Sequence, residues 1–262
     1  MEPSSYKFYH VHGFHSGDFL DKYFCNKPEM PFGHESLRYP MEKFHDAFST
    51  GHFKGDILID ISLGPAIHHL YSALGYFRNI ILLRSSDHCI LEVKKWQNSR
   101  TGAFDWSHTS ALANEIAEKS DQCENKEILL RTTITQVVKF DLNQENLTDP
   151  LVLPQADCLV LGCSLEVISK DFEDFVKNLR KFSKYLKAGG HLLFYGMLNG
   201  TFFEVGGDRF HVVKYNESNL RTALSSEGFV ISHLEVTQRR AETNLCDFQS
   251  MVFCTAYKGN TI

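Results

Sequence analysis

The sequence has no long apolar run, no closely spaced cysteine pair and no excess of basic residues. No stretch of 18 apolar residues occurs, so no transmembrane helix is expected. The seven cysteines are an odd number without a C-x-x-C pair, which argues against a complete disulfide framework or an all-cysteine zinc site. With 27 basic and 32 acidic residues, a net charge of −5, the chain is not expected to bind nucleic acid through a broadly basic surface.

What remains is a soluble globular protein with reduced thiols. Residues Met1 to His10 are polar and aromatic and do not resemble a signal peptide, so we expect a cytoplasmic protein without a membrane partner. No repeat or long linker divides the 262 residues, which predicts a single domain over 1–262. We also expect the protein to be a monomer. His10, His12 and His15 have no nearby acid or cysteine, so no metal site is predicted.

Short apolar runs alternate with amphipathic segments through the middle of the chain. Strands are predicted at 56–61, 79–83, 136–140, 157–161 and 191–195. Helices are predicted at 18–24, 34–48, 66–74, 87–96 and 171–186, with one or two more within 107–135. The C-terminal part differs, with a hairpin at 201–213, a helix at 216–227 and strands at 229–236 and 248–257. This order predicts an α/β protein with a doubly wound, mostly parallel sheet that ends in an antiparallel pair.

The turn after the first predicted strand is the most informative segment. Residues 57–70 read ILIDISLGPAIHHL: a buried strand ends, Gly64 and Pro65 form a turn, and a helix begins. Ligands of open α/β sheets bind at the carboxyl ends of strands, where a glycine lets them approach the backbone. The segment predicts a ligand site. An ordinary strand-to-helix turn is the alternative, because the rest of the G-x-G-x-x-G pattern is missing.

The position expected to hold a ribose is basic. In dinucleotide sites an acid about 20 residues after the glycine turn binds the ribose hydroxyls, and at that distance from Gly64 stands Arg84. The nearest acid, Asp87, falls at the start of a predicted helix. This argues against an ordinary adenosine site. An arginine could favour a phosphate instead, although the glycines that bind a pyrophosphate are also absent.

Two acidic residues follow later strands. Asp141 comes after the third strand, where it could accept a hydrogen bond from an adenine amino group or simply begin a turn. Glu166 follows the fourth strand in the apolar segment CSLEVI. A carboxylate there could bind a cationic amine or take its proton, and a solvated loop acid is the alternative.

Seven blocks of the sequence occur in the same order as in a family of known proteins. They are DFLDKYF (18–24), KGDILIDISLGPAIHHLYSA (54–73), AFDWS (103–107), VVKFDLNQ (137–144), PQADCLV (154–160), LKAGGHLL (186–193) and DFQSMVFCTAYK (247–258). The AFDWS block and the L-I-D-I-x-x-G-P block are together fairly specific. Through these blocks the chain resembles the small-molecule N-methyltransferases of nicotinamide, indolethylamine and phenylethanolamine, which are class I enzymes that use S-adenosylmethionine.

The resemblance implies a seven-stranded, Rossmann-like class I methyltransferase fold in which helices within residues 1–50 form a lid. It implies contacts with S-adenosylmethionine for residues of the lid and of the strand ends, namely Phe19, Tyr23, Phe24, Ser62, Leu63, Gly64, Arg84, Cys89, Asp141, Leu142 and Cys163. It implies substrate contacts for Phe19, Glu166, Gly196 and Phe203, with Glu166 as the catalytic carboxylate near the amine.

The chain also departs from the family pattern. The family turn reads G-S-G-P, whereas here Ser62 and Leu63 precede Gly64. The family's ribose acid falls at Arg84 and a family asparagine at Cys89. An acid in the pocket of the nicotinamide enzyme is replaced by Gly196, as in the phenylethanolamine enzyme, and Phe203 replaces a family tyrosine.

Two functions from different classes follow. The first is an S-adenosylmethionine-dependent N-methyltransferase for a small aromatic or aliphatic amine or a pyridine, in which alignment and aromatic faces supply most of the catalysis. It is favoured if Arg84 points to solvent while Ser85 or Asp87 holds the ribose. The second is a non-catalytic binding or scaffold protein that has lost the cofactor, since a lost ribose contact costs about 2–4 kcal/mol. The many phenylalanines and Glu166 favour an amine over nicotinamide.

Overall fold

A seven-stranded sheet forms the centre of the protein in a computed structural model that describes residues 6–27, 32–118 and 125–259. Its strands are β1 (Gly55–Ser62), β2 (Phe77–Arg84), β3 (Ile134–Lys139), β4 (Ala156–Gly162), β5 (Leu186–Leu198), β8 (Phe229–Gln238) and β9 (Ser250–Lys258). The order is β3-β2-β1-β4-β5-β9-β8, parallel up to β5 and antiparallel at β9. This confirms the predicted doubly wound sheet with its antiparallel closing pair. A separate hairpin pairs β6 (Phe202–Val205) with β7 (Asp208–His211).

The central strands are apolar on both faces because helices cover both sides of the sheet. In β1 the residues from Leu58 to Ser62 are all buried, and β4 is buried from Cys158 onward. Continuous apolar runs of this kind are typical of parallel strands. The two strands pair so that Ser62 lies opposite Gly162. The turn around Gly64 therefore begins beside the end of β4.

Helices flank the sheet and form the N-terminal part of the chain. The N-terminal helices are α1 (Tyr9–His12), α2 (Ser16–Tyr23), a π-helix (Gly33–Arg38) and α3 (Tyr39–Ser49). A 3-10 helix (His68–Ala73) follows β1. The others are α4 (Asp87–Gln97), α5 (Ser107–Ile116), α6 (Lys126–Thr133), α7 (Leu165–Ile168), α8 (Phe172–Ser183) and α9 (Glu217–Ser226). Helix α2 confirms the helix predicted over 18–24 and buries Phe19, Leu20 and Tyr23.

Three helix predictions were partly wrong. The segment predicted as a helix over 66–74 is a 3-10 helix that begins only at His68. The helix predicted over 34–48 starts as the π-helix, and the α-helix begins at Tyr39. The helix predicted to reach residue 186 ends at Ser183, because Leu186 already pairs with Ala156 in the sheet. The backbone groups of Leu186 are therefore bonded in the sheet, although the helical pattern of the sequence had placed this residue in α8.

The N-terminal segment is attached to the hairpin rather than to the main sheet. The Lys7 backbone N–H donates to the carbonyl of Arg209 at 2.9 Å, and the His211 N–H donates to the carbonyl of Lys7 at 2.8 Å. These two bonds hold the segment leading into α1 and α2 across the carboxyl ends of the strands. Among the described residues, no helix has the length and apolar character needed to cross a membrane.

Candidate functional site

An aromatic cavity of about 90 Å³ lies between the N-terminal helices and the ends of β1, β4 and β5. Its lining includes seven of the residues that the sequence assigned to a site, namely Phe19, Tyr23, Phe24, Ser62, Leu63, Cys163 and Phe203. Further aromatic residues in the lining are Phe32, Phe44, Tyr195 and Phe248. The fold thus brings side chains from distant parts of the sequence around one small apolar space.

Aromatic rings cover the glycine turn. Gly64 has a φ of +65°, which favours glycine, and a Cβ at this position would lie 2.7 Å from Phe19 Cε1 and 3.2 Å from Phe14 Cζ. The rings of Phe14 and Phe19 stack with centroids 4.8 Å apart, and Tyr9 stacks on Phe14 at 4.8 Å. A ligand that approaches the Gly64 backbone must therefore displace these rings.

Arg84 does not point to solvent, so the sequence-based alternative with a solvent-exposed Arg84 is wrong. Its side chain is fully buried and its Nη2 forms an ion pair with Asp60 Oδ2 at 2.8 Å. The same Nη2 donates to the carbonyl of Ala66 at 2.9 Å. Because β1 and β2 are neighbours in the sheet, Asp60 lies close to Arg84 near the strand ends, and the buried arginine finds a carboxylate there.

Asp60 is the centre of a buried polar network. Its Oδ1 accepts a hydrogen bond from Ser62 Oγ at 2.7 Å. The same Oδ1 lies 2.7 Å from His69 Nε2, which is also hydrogen-bond distance. Burial by itself would raise the pKa of Asp60, but the charges of Arg84 and His69 and these hydrogen bonds outweigh it and hold the pKa at about 2. Asp60 therefore carries a negative charge that compensates the guanidinium of Arg84.

A wide groove open to solvent lies at the ends of β2 and β3. It has a volume of about 790 Å³ and is lined by Ser85, Asp87, Asp141 and Leu142, among others. Asp141 Oδ1 accepts a hydrogen bond from the backbone N–H of Asn143 at 2.9 Å, which is the turn role that the sequence left open. Asp87 is paired with Lys139 at 2.6 Å. Asp141 and Leu142 therefore lie together, but in this groove and not in the cavity.

Cys89 lies beneath the aromatic rings that cover the glycine turn and does not line the cavity. The thiol is completely buried, with Sγ 3.5 Å from Tyr9 Oη and 3.7 Å from Ser16 Oγ. Burial raises its pKa above the ordinary thiol value, so the thiol stays protonated. In this arrangement Cys89 anchors the N-terminal segment.

His68 is a cavity residue that the sequence analysis missed. Its imidazole is only 3% exposed and lies between Phe24 and Trp106, with ring centroids at 5.0 and 6.3 Å. Neither ring nitrogen has a hydrogen-bond partner within the described residues. Burial lowers its pKa well below the usual value, so the ring is neutral at pH 7. Buried polar atoms are normally satisfied, so an unpartnered imidazole in a cavity suits a ligand with a polar group.

Glu166 is fully buried and lies beside the cavity rather than in its lining. Its Oε1 accepts a hydrogen bond from the Met197 N–H at 3.0 Å, and Oε2 has no partner in the described structure. Burial raises the pKa of Glu166 to about 7, and the Met197 hydrogen bond opposes part of this rise. The structure rules out a solvated loop acid. The catalytic role that the resemblance implies stays a prediction.

Gly196 has no room for a side chain. A Cβ there would clash with the Tyr215 hydroxyl and lie 2.9 Å from Glu166 Oε1. Gly196 is therefore a packing position next to Glu166, and unlike Phe203 it does not line the cavity.

We expect Gly196→Ala to lower the free energy of unfolding by about 1–3 kcal/mol, because overpacking a well-filled interior costs that much. Urea unfolding measures the change. Tyr215→Phe removes a hydroxyl that has no partner among the described residues, so it should be almost neutral by itself and should recover part of the loss in the double variant. A double variant as unstable as Gly196→Ala would show that the Tyr215 hydroxyl is not the obstacle.

Comparisons with known proteins bear on this geometry. The profile of the NNMT/PNMT/TEMT family matches residues 5–259. The chain is 30% identical to indolethylamine N-methyltransferase of Oryctolagus cuniculus over 92% of each chain. It is 33% identical to phenylethanolamine N-methyltransferase of Mus musculus, over 80% of this chain and 73% of that one. Among solved structures, an S-adenosylmethionine-dependent methyltransferase from Clostridium acetobutylicum covers 93% of this chain and 98% of its own with a TM-score of 0.56 at 11% identity, which shows a shared fold.

Proposed function

The chain belongs to the NNMT/PNMT/TEMT family of S-adenosylmethionine-dependent N-methyltransferases, and we propose that its acceptor is a small amine that binds in the aromatic cavity. The observation that carries this proposal is the position of the cavity, lined by the N-terminal helices and by the carboxyl ends of β1, β4 and β5. Ligands of this class of sheet bind at these strand ends. The relatives supply no support for a non-catalytic role.

The residues at the glycine turn fit the methionine end of S-adenosylmethionine. The unpartnered imidazole of His68 is available to its carboxylate or amino group, and Gly64 permits a close approach once Phe14 and Phe19 have moved. Asp141 and Leu142 in the open groove are our candidates for the adenine end. Because Asp60 compensates the charge of Arg84, the guanidinium adds no unpaired positive charge near a sulfonium.

When bound, S-adenosylmethionine supplies an electrophilic methyl group on a positively charged sulfur. The chain's own contribution is to hold the acceptor nitrogen in line with that methyl group and to exclude water. The bound sulfonium would keep the electron pair of its C–S bond, so the acceptor would need only a nitrogen with a free lone pair. A protonated amine loses its proton after binding, and Glu166, whose pKa is raised to about 7 by burial, is the proposed acceptor. Phenylalanine and tyrosine faces around the cavity favour the positive charge of the methylated nitrogen.

The acceptor that suits this cavity carries an aromatic or aliphatic apolar group. Aromatic rings form much of the lining, and Gly196, beside the cavity, stands where the resemblance places an acid of the nicotinamide enzyme. The names of the relatives, indolethylamine and phenylethanolamine N-methyltransferase, agree with an arylalkylamine.

We also propose that the protein acts as a cytoplasmic monomer without nucleic-acid or membrane partners. Residues 1–50 act as a lid within a single domain.

Calorimetric titration with S-adenosylhomocysteine followed by a methyl-transfer assay tests the proposed function. We expect binding at micromolar concentration and methylation of 2-arylethylamines in preference to nicotinamide. Mass spectrometry of the products identifies the methylated nitrogen. Absence of binding up to millimolar concentration would contradict the proposal and favour the scaffold alternative.

His68→Ala is expected to weaken S-adenosylhomocysteine binding by about 10-fold or more, because a hydrogen bond to a charged group contributes about 1.5–3 kcal/mol. Methylthioadenosine lacks the amino-acid end, and its affinity should not change. His233→Ala, at an exposed position of β8, is the matched control. Equal weakening for both ligands would show that His68 does not contact the methionine end.

A further inference from the structure

Glu35 is a buried carboxylate in the cavity lining to which neither the sequence nor the family resemblance assigned a role. It lies in the π-helix Gly33–Arg38, is 4% exposed, and shares the cavity wall with Tyr23, Phe32 and Phe248. The ring centroids of Tyr23 and Phe32 are 5.5 Å apart, and those of Phe32 and Phe248 are 6.4 Å apart. Glu35 is thus an acidic group in a predominantly aromatic wall.

The position of Glu35 is held from two sides. Its Oε1 accepts hydrogen bonds from the backbone N–H groups of Arg240 and Ala241, at 2.6 and 3.0 Å. Its backbone carbonyl accepts a hydrogen bond from Tyr195 Oη at 2.7 Å. These bonds orient the carboxylate, but they come from neutral groups. In the part of the chain that the structure describes, Glu35 has no ion pair with a lysine, arginine or histidine side chain.

A buried carboxylate without a cationic partner is costly, and a cationic ligand would relieve that cost. A carboxylate beside aromatic faces matches an alkylammonium group, which combines a positive charge with an apolar surface. We propose that Glu35 is the counter-ion for the acceptor and selects a protonated arylalkylamine over neutral acceptors such as pyridines. This inference rests on the proposed function and narrows its acceptor class. Glu35 acts at the binding step, before the nitrogen has lost its proton.

The test compares three probes of similar shape by calorimetry on the full-length protein without cofactor. The probes are the 2-phenylethylammonium ion, the (2-phenylethyl)trimethylammonium ion and 2-phenylethanol. The wild type is expected to bind the ammonium ion at least about 10-fold more tightly than the alcohol, since a charge-assisted contact in a desolvated site has that effect. The trimethylammonium ion, which has a charge but no N–H donor, should also bind more tightly than the alcohol.

Glu35→Gln keeps an oxygen for the Arg240 and Ala241 N–H groups and removes the negative charge. We expect this variant to lose the preference for both cations while its affinity for 2-phenylethanol is unchanged. Glu42→Gln is the matched control, because Glu42 pairs with Arg38 in the same N-terminal region and does not line the cavity. This control should keep the wild-type preference.

Two results would overturn the inference. Equal affinity of the wild type for the alcohol and the two cations would show that the cavity does not select charge. A uniform loss of affinity for all three probes in Glu35→Gln, with a lowered melting temperature, would show that Glu35 only supports the fold. Because no cofactor is present, these results are separate from the proposed function, which fails only if S-adenosylhomocysteine does not bind or no amine is methylated.

Discussion

Replacing Arg84 by leucine is expected to lower the free energy of unfolding by about 3–5 kcal/mol, which is the usual cost of removing one partner from a buried ion pair. Arg84 and Asp60 are both inaccessible to solvent, and their side chains approach to 2.8 Å. Without the guanidinium, the Asp60 carboxylate keeps, among the described residues, only His69 and Ser62 as polar side-chain partners. Urea denaturation at pH 7 measures the change.

A double variant and a surface control separate this ion pair from simple loss of packing. Arg84→Leu combined with Asp60→Asn removes both charges and should recover much of the stability, because a neutral replacement leaves no buried charge unpaired. Arg78→Leu, at an exposed position of β2, should change stability little. If the double variant were less stable than Arg84→Leu, the charge of Asp60 would not be the cause.

The same ion pair has consequences for pH dependence and for the cofactor. The pKa of Asp60 is about 2 in the folded state against a usual value of 3.8, so its stabilisation is present above pH 3.8 and is lost as the pH falls towards 2. The double variant should lack this loss. Arg84→Asp, which would restore the family's acid in sequence, would place a second carboxylate beside Asp60. We therefore expect that variant to unfold rather than to improve ribose binding.

Glu166→Gln is expected to raise stability at neutral and alkaline pH. The folded-state pKa of about 7 lies above the usual 4.5, so between these values the folded protein binds a proton that the unfolded chain has released. Wild-type stability from this group is therefore fully present below pH 4.5 and falls as the pH rises to 7. The fall is about 3 kcal/mol, since one pKa unit corresponds to 1.36 kcal/mol. Glutamine does not titrate, so the difference between variant and wild type should grow by that order across this range.

Urea unfolding at several pH values between 4 and 8 measures this difference. A difference that stays constant with pH would contradict a buried, titrating Glu166. Turnover distinguishes the catalytic role: if Glu166 takes part, the kcat profile of the wild type has an inflection near pH 7 that Glu166→Gln lacks. An unchanged kcat profile in the variant would leave Glu166 as a residue of the fold only.

The sequence by itself determined the architecture and the family. Strand runs such as those in β1 and β4, the amphipathic α8 and the hairpin around Gly206 are local patterns, and their order along the chain was enough to predict the doubly wound sheet with its antiparallel end. The predicted ends of the helices were less accurate. Leu186, for example, pairs with β4 in the sheet and does not continue helix α8. The site region after β1 was also found from sequence, since Gly64 follows a strand end.

Only the tertiary structure decided what the side chains at these strand ends do. Arg84 turns inward because β1 places Asp60 beside it, which no pattern within β2 could indicate. His68 and His69 both line the cavity, but His69 bonds to Asp60 while the His68 nitrogens have no partner among the described residues, and a sequence of two histidines does not distinguish them. Glu35 reaches the cavity wall because the Arg240 and Ala241 backbone, far away in sequence, holds its carboxylate. Side-chain direction depends on partners from other elements, and those partners are known only once the chain has folded.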